Sequence, residues 1–251
     1  MKHVIIIASA VALAACGGGG SSKSKALPDI NEARGVYQGA TDTGRALLAV
    51  VRDSGESYVF LGEKGGGYDA VEGLVHGMAS VSGDRFLATS ARRFYLDGDG
   101  APVVDVTVEA VYSPGQYLTG EVVNDEGDSM SFTSSYHGDA VADLSALTGV
   151  YVGSVDTVSD SQFTTILIDP DGTLTGKVSA DEACPFSGHV VPHKQGTSFN
   201  VSVSFANPYC LYDGQTLKGI LYHEHAENAI YMAVLKKDRT AGVFFYGGQP
   251  N

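Results

Sequence analysis

A short motif near the start of the chain occurs again past its midpoint: Gly35-Val36-Tyr37-Gln38-Gly39 returns as Gly149-Val150-Tyr151-Val152-Gly153. A repeat at such spacing constrains the fold strongly, because each copy is one structural unit with a hydrophobic face to bury. Each copy follows a segment with helix-compatible signals. The first is Pro28-Asp29-Ile30-Asn31-Glu32-Ala33-Arg34, and the second is residues 139–147, where Leu144 and Leu147 stand three apart. Further matches follow in the same order. Leu47-Leu48-Ala49-Val50-Val51 running into Asp53-Ser54-Gly55 pairs with Thr165-Ile166-Leu167-Ile168 running into Asp169-Pro170-Asp171-Gly172, each a strand entering a glycine turn. Residues 117–123 pair with 216–222 about Gly120 and Gly219, and Met130-Ser131-Phe132 through Tyr136 pairs with residues 242–246. The interval between copies drifts along the chain, from 114 residues at Gly35/Gly149 to 99 at Gly120/Gly219, so insertions and deletions separate the halves.

Each half divides into about eight short runs of strand character, the number that closes a small barrel. They lie near 36–41, 46–52, 57–63, 71–81, 85–96, 103–112, 117–123 and 129–136, then near 150–155, 162–168, 173–179, 186–192, 197–206, 215–223, 229–236 and 240–246. Alternation is clear in residues 103–111, where Asp105, Thr107 and Glu109 interleave with Val104, Val106, Val108 and Ala110. It is equally clear in 199–205, where Phe199, Val201, Val203 and Phe205 share one face. Period two with one polar face marks half-buried antiparallel strands. The expected fold is all-β: two tandem antiparallel β-barrels, or sandwiches, with closure favoured because it removes exposed edges. The 32 glycines fit a chain of many turns.

Ahead of this body, Met1-Lys2-His3 precedes the apolar run of residues 4–15, which ends in small residues. That is the pattern of a secretory signal, and the run is too short to span a bilayer. Leu13-Ala14-Ala15-Cys16 resembles the lipobox of bacterial lipoproteins. The resemblance implies cleavage before Cys16, diacylation of its thiol and attachment to a membrane through that lipid. The absence of Asp at Gly17 implies, by similarity to enterobacterial sorting rules, the outer membrane; which face the body occupies is left open. Gly17-Gly18-Gly19-Gly20-Ser21-Ser22-Lys23-Ser24-Lys25 reads as a flexible tether. The expected organisation is a signal peptide over 1–15, lipidated Cys16 and tether over 16–27, a first β-domain over 28–138 and a second over 139–251.

The formal charge of −13 becomes −14 once Lys2 leaves with the leader. No basic stripe offsets it, so nucleic acid is excluded as a partner. With Cys16 carrying lipid, Cys184 and Cys210 remain as a pair in an oxidising compartment and are expected to form a disulfide; two buried thiols are the alternative. No C-x-x-C accompanies them, which argues against a metal centre.

Candidate chemistry is sparse. His223 and His225 of His223-Glu224-His225 would share a face on a strand, a spacing that zinc ligands use, with His189 and His193 as possible partners. The same residues fit a solvated hairpin end over 223–228, and the segment is not H-E-x-x-H. Asp97-Gly98-Asp99-Gly100 and Asp169-Pro170-Asp171-Gly172 lack the further oxygen ligands of a calcium loop and read as hairpin turns. Gly65-Gly66-Gly67 lacks the Lys and Ser or Thr of a phosphate loop. No G-x-S-x-G occurs. Arg92-Arg93 and Lys236-Lys237 read as solvated strand ends.

Residues 171–176, 184–188 and 239–244 together resemble a repeat of small proteobacterial lipoproteins without an assigned function. The tether followed by paired β-lobes resembles, in layout, the transferrin-binding and factor-H-binding surface lipoproteins. Neither resemblance transfers a binding residue. The expected function is a membrane-anchored, non-enzymatic binding or envelope-assembly module, with no cofactor and an unknown protein or small ligand as partner; its 13 tyrosines would supply a rigid contact surface. The alternatives are a carrier of lipid or a small apolar ligand inside a barrel, and a metal-dependent hydrolase using His223 and His225.

Overall fold

A computed structural model describes residues 29–66, 70–96, 98, 101–178, 184–194 and 196–250. The leader, Cys16 and the tether lie outside the described residues, as do Gly67, Asp97, Asp99 and Gly100.

The first half is a closed antiparallel barrel. Its strands are β1 (Gly35–Thr41), β2 (Arg45–Val51), β3 (Glu56–Lys64), β4 (Gly73–Met78), β5 (Ser80–Ser82), β6 (Arg85–Tyr95), β7 (Val103–Ser113), β8 (Tyr117–Asn124) and β9 (Ser129–Gly138). The sheet runs β4-β3-β2-β1-β9-β8-β7-β6-β5, and pairing of β4 with β6 closes it. β4 and β5 are one stave broken at Ala79, whose N–H turns away to the Gly55 carbonyl at 2.8 Å. Both pair with β6. The second half is a closed barrel of β10 (Gly149–Asp156), β11 (Ser161–Ile168), β12 (Thr173–Val178), β13 (Cys184–Pro192), β14 (Ser198–Phe205), β15 (Thr216–Glu224), β16 (Ala229–Leu235) and β17 (Gly242–Gly248). The all-β, two-barrel fold expected from the sequence is therefore the observed one, with strand ends shifted by only a few residues.

The two barrels repeat each other in detail. A 3-10 turn (Ile30–Ala33) precedes β1 and a short helix (Leu144–Leu147) precedes β10, each capped by the carboxylate of Asp29 or Asp143. The buried Tyr37 hydroxyl donates to the Ala33 carbonyl at 2.8 Å, and the buried Tyr151 hydroxyl donates to the Leu147 carbonyl at 3.0 Å. Each helical turn thus plugs one barrel end through one tyrosine. The hairpins between the second and third staves also match: Gly55 and Gly172 sit at φ 84° and 85°, and each carbonyl accepts from the fourth stave, at Ala79 N or Val190 N, both 2.8 Å.

One proposed match is corrected. Gly120 lies on β8, the seventh stave of its barrel, whereas Gly219 lies on β15, the sixth stave of the other. The two segments look alike because both glycines meet the same need. A Cβ at Gly120 would lie 2.1 Å from the Glu109 carbonyl oxygen, and one at Gly219 would lie 1.9 Å from that of Ala233. Close approach to the neighbouring strand selects glycine wherever the sheet coils tightly.

The interiors are filled. Tyr37, Leu47, Ala49, Val51, Phe86, Val108, Leu118 and Phe132 belong to the first barrel's core. Tyr151, Ile166, Leu174, Phe199, Val203, Leu221, Met232 and Phe245 belong to the second's. A third core lies between the barrels: Val36, Leu48, Val50, Tyr58, Phe60, Leu74 and Phe94 from the first pack with Ile220, Tyr222, Tyr231, Ala233, Leu235 and Phe244 of the second. These are outward-facing residues of β1–β4 and β6 meeting those of β15–β17. β2 and β16 are buried along their whole length, so their sequences read as unbroken apolar runs, as strands covered on both faces do.

Candidate functional site

The disulfide forms. Cys184, the first residue of β13, is bonded to Cys210 in the loop after β14, with Cα atoms 4.9 Å apart. The loop is fixed further by Cys210 N–H donating to the Asn207 carbonyl, Gly214 N–H to that of Phe205, and the Tyr212 hydroxyl to that of Gly242. Tyr209 and Leu211 project from it into solvent.

His223 and Glu224 are not turn residues, as the sequence suggested; they end β15 and are buried, while His225 opens the turn. Their alternation sends them to opposite faces. His223 points to the mouth of the second barrel, where Nε2 lies 3.3 Å from Asn228 Oδ1 and the ring is 4.4 Å from that of His225. Burial lowers the His223 pKa, which keeps the imidazole neutral. Glu224 points into the seam between the barrels. Its Oε2 accepts from Gln38 Nε2 at 2.8 Å and faces His137 Nε2 at 3.1 Å, both on the first barrel, and the Tyr222 hydroxyl at 3.4 Å. Among the described residues no three His, Cys, Asp or Glu side chains are placed to hold a metal ion. The Asp169–Gly172 segment is a turn in which Asp171 Oδ1 accepts from Thr173 N–H at 2.9 Å; that bond lowers the Asp171 pKa.

The seam's polar groups were not legible as a set. Arg52, buried, donates through Nη2 to the Phe199 carbonyl at 3.0 Å and through Nε to Ser198 at 3.3 Å, and pairs with Glu56 at 3.0 Å. Burial alone would raise the Glu56 carboxyl; contact with His76, the Arg52 charge and a hydrogen bond from Tyr58 outweigh it and hold the group at about 2. His193 of the second barrel lies 2.7 Å from Asp53 of the first and lowers the carboxyl's pKa. Arg92, expected to be a solvated strand end, instead donates across the seam to the carbonyls of Asp238 and Arg239 at 2.8 and 2.9 Å. The tyrosines are corrected likewise. Tyr37, Tyr58, Tyr112, Tyr151, Tyr212, Tyr222 and Tyr231 are buried in cores or seam rather than displayed.

Two exposed surfaces lie outside the seam among the described residues. A groove of about 800 Å³ crosses the outer face of β5–β9, bordered by Arg85, Leu87, Glu109, Val111 and Glu121. On the second barrel Val150, Val152, Phe163 and Leu167 form an exposed apolar face on β10 and β11, with Phe163 81% exposed.

No family model matches the chain, and no curated protein does. Solved structures similar to it include transferrin binding protein B from serogroup B Neisseria meningitidis, at 9% identity and TM-score 0.32, covering 83% of this chain and 66% of that one. A putative outer membrane protein from Bacteroides fragilis matches at 14% identity and TM-score 0.31, covering 88% and 99%. A mutant transferrin binding protein B from Haemophilus parasuis matches at 10% and 0.28, covering 81% and 65%. The chain thus spans just under two thirds of each of the two transferrin binding protein B structures. One family whose layout the sequence resembles is therefore among its structural neighbours, at a likeness too low to carry a residue or an activity across.

Proposed function

We propose that this chain is an outer-membrane lipoprotein, anchored through Cys16, whose paired barrels form a non-enzymatic module that binds a protein partner. The observation that carries the reading is the pair of filled barrels joined by a buried apolar seam. Filled interiors oppose the carrier reading, because a barrel of this size holds a ligand only where its side chains leave room. The seam fixes the barrels' relative placement, so groups on either one are presented in a constant arrangement, which lowers the entropy cost of binding. The export signal, Cys16 and the glycine tether supply the address in sequence. Two or more acyl chains make such an anchor stable.

Two measurements test this. Labelled palmitate is expected to enter the full chain and to be absent from a Cys16→Ser variant; label retained by the variant contradicts the anchor. Crosslinking in intact cells is expected to return a discrete protein partner. A chain that returns none over its whole surface, and turns over substrate instead, contradicts the binding reading.

A further inference from the structure

The groove on the first barrel has a definite chemistry. Strand register sets two ladders along its walls. One is Leu87, Glu109, Glu121 and Ser131; the other is Arg85, Val111, Thr119 and Thr133. Between them run Phe86, Ala110, Gly120 and Phe132, of which Phe86, Ala110 and Phe132 are buried in the barrel core, while Gly120 has no side chain. The floor is therefore low, with no side chain rising from it. Leu87 and Val111 remain 37% and 43% exposed on either side of it.

Glu109 stands directly opposite Glu121 on adjacent strands. Like charges so placed destabilise a sheet. Arg85 offsets this only weakly, its Nη2 lying 3.9 Å from Glu109 Oε2 with both side chains exposed. Glu121 has no cationic partner among the described residues. The groove thus pairs two exposed aliphatic side chains with an under-compensated pair of carboxylates, in a chain of formal charge −13.

We propose that this groove docks a segment of a partner protein that presents an apolar side chain beside a lysine or arginine. The apolar group seats between Leu87 and Val111, and the cation lies between Glu109 and Glu121. The inference rests on the binding-module reading and names the site and the partner's chemistry. A second copy of this acidic chain, or an anionic glycan, would meet like charge there, whereas a cationic surface is steered toward it.

The test places a photo-crosslinking amino acid at Val111, and separately at Phe163 on the second barrel, in the full lipidated chain in intact cells. The expected result is a discrete adduct at Val111 whose crosslinked peptide carries Lys or Arg beside apolar residues, reduced at least tenfold by Glu109→Gln with Glu121→Gln. A Val111 adduct that survives both substitutions, or maps to an acidic segment, overturns the proposal. Adducts at Phe163 alone, or at neither position, overturn the groove and leave the binding-module reading standing. Replacing both glutamates relieves a like-charge pair, so the variant's thermal midpoint stays at or above the parent's. A midpoint lowered by several degrees would show that the two carboxylates support the fold, which contradicts the premise.

Discussion

Arg52 is a buried cation that ties the two barrels together at the seam. It is buried at the end of β2 and reaches Ser198, the Phe199 carbonyl and Glu56 together. Its removal leaves the half-buried Glu56 carboxylate without its arginine and the Phe199 carbonyl without that donor. Arg52→Leu is therefore expected to cost about 2 kcal/mol of unfolding free energy, the scale of leaving buried polar groups without a partner; urea denaturation measures it. A loss near zero would show that the pair is solvated. Tyr37→Phe and Tyr151→Phe each delete one buried hydroxyl bond and leave Ala33 or Leu147 with an unmet carbonyl. Each is expected to cost about 1 kcal/mol in the same assay. Arg52 carried no readable signal, because a lone arginine at a strand end looks like any solvated one. Tyr37 and Tyr151 did carry one, since they recur at the same place in the repeated motif.

At the scale of the element, alternation made the staves legible. The outward face of each stave was harder. In β7 it is polar and exposed, as Asp105 and Glu109 announce. In β2 and β16 the alternation vanishes, and that loss was the one available sign of a second buried face. It does not say what covers the face, since a helix, another sheet or a membrane all select the same residues. His223 and Glu224 were misplaced for a related reason: two polar residues at a strand end read as turn, and only the other barrel supplies the Gln38 and His137 that let Glu224 be buried. The disulfide is the other element-scale constraint. It closes the chain between β13 and the loop after β14 in the second barrel. Cys184→Ala with Cys210→Ala is expected to lower stability by about 3 kcal/mol in the chain-entropy account. Amide exchange should quicken in β13 and residues 206–215 while β1–β3 keep their protection. Equal loosening of both barrels would contradict that assignment.

For the whole molecule, the seam makes two repeated barrels into one unit, and acid should probe it. Glu56 is held at about 2 against an ordinary 4.5, and Asp53 is lowered by His193. The unfolded chain therefore binds protons at these groups more readily than the folded one. Their stabilisation is complete above about pH 4.5 and is lost as pH falls toward 2. The urea midpoint should decline across that window, with a shallower decline in Glu56→Gln; an unchanged slope would place the acid sensitivity elsewhere. The most direct test of the account is differential scanning calorimetry of the mature chain carrying Cys16→Ser. With the apolar seam intact, a single transition is expected, its calorimetric and van't Hoff enthalpies agreeing. Phe244→Asp, which puts a charge against Phe94 in the seam, should split that transition in two. Two separate transitions in the unsubstituted chain would contradict the claim that the barrels act as one body.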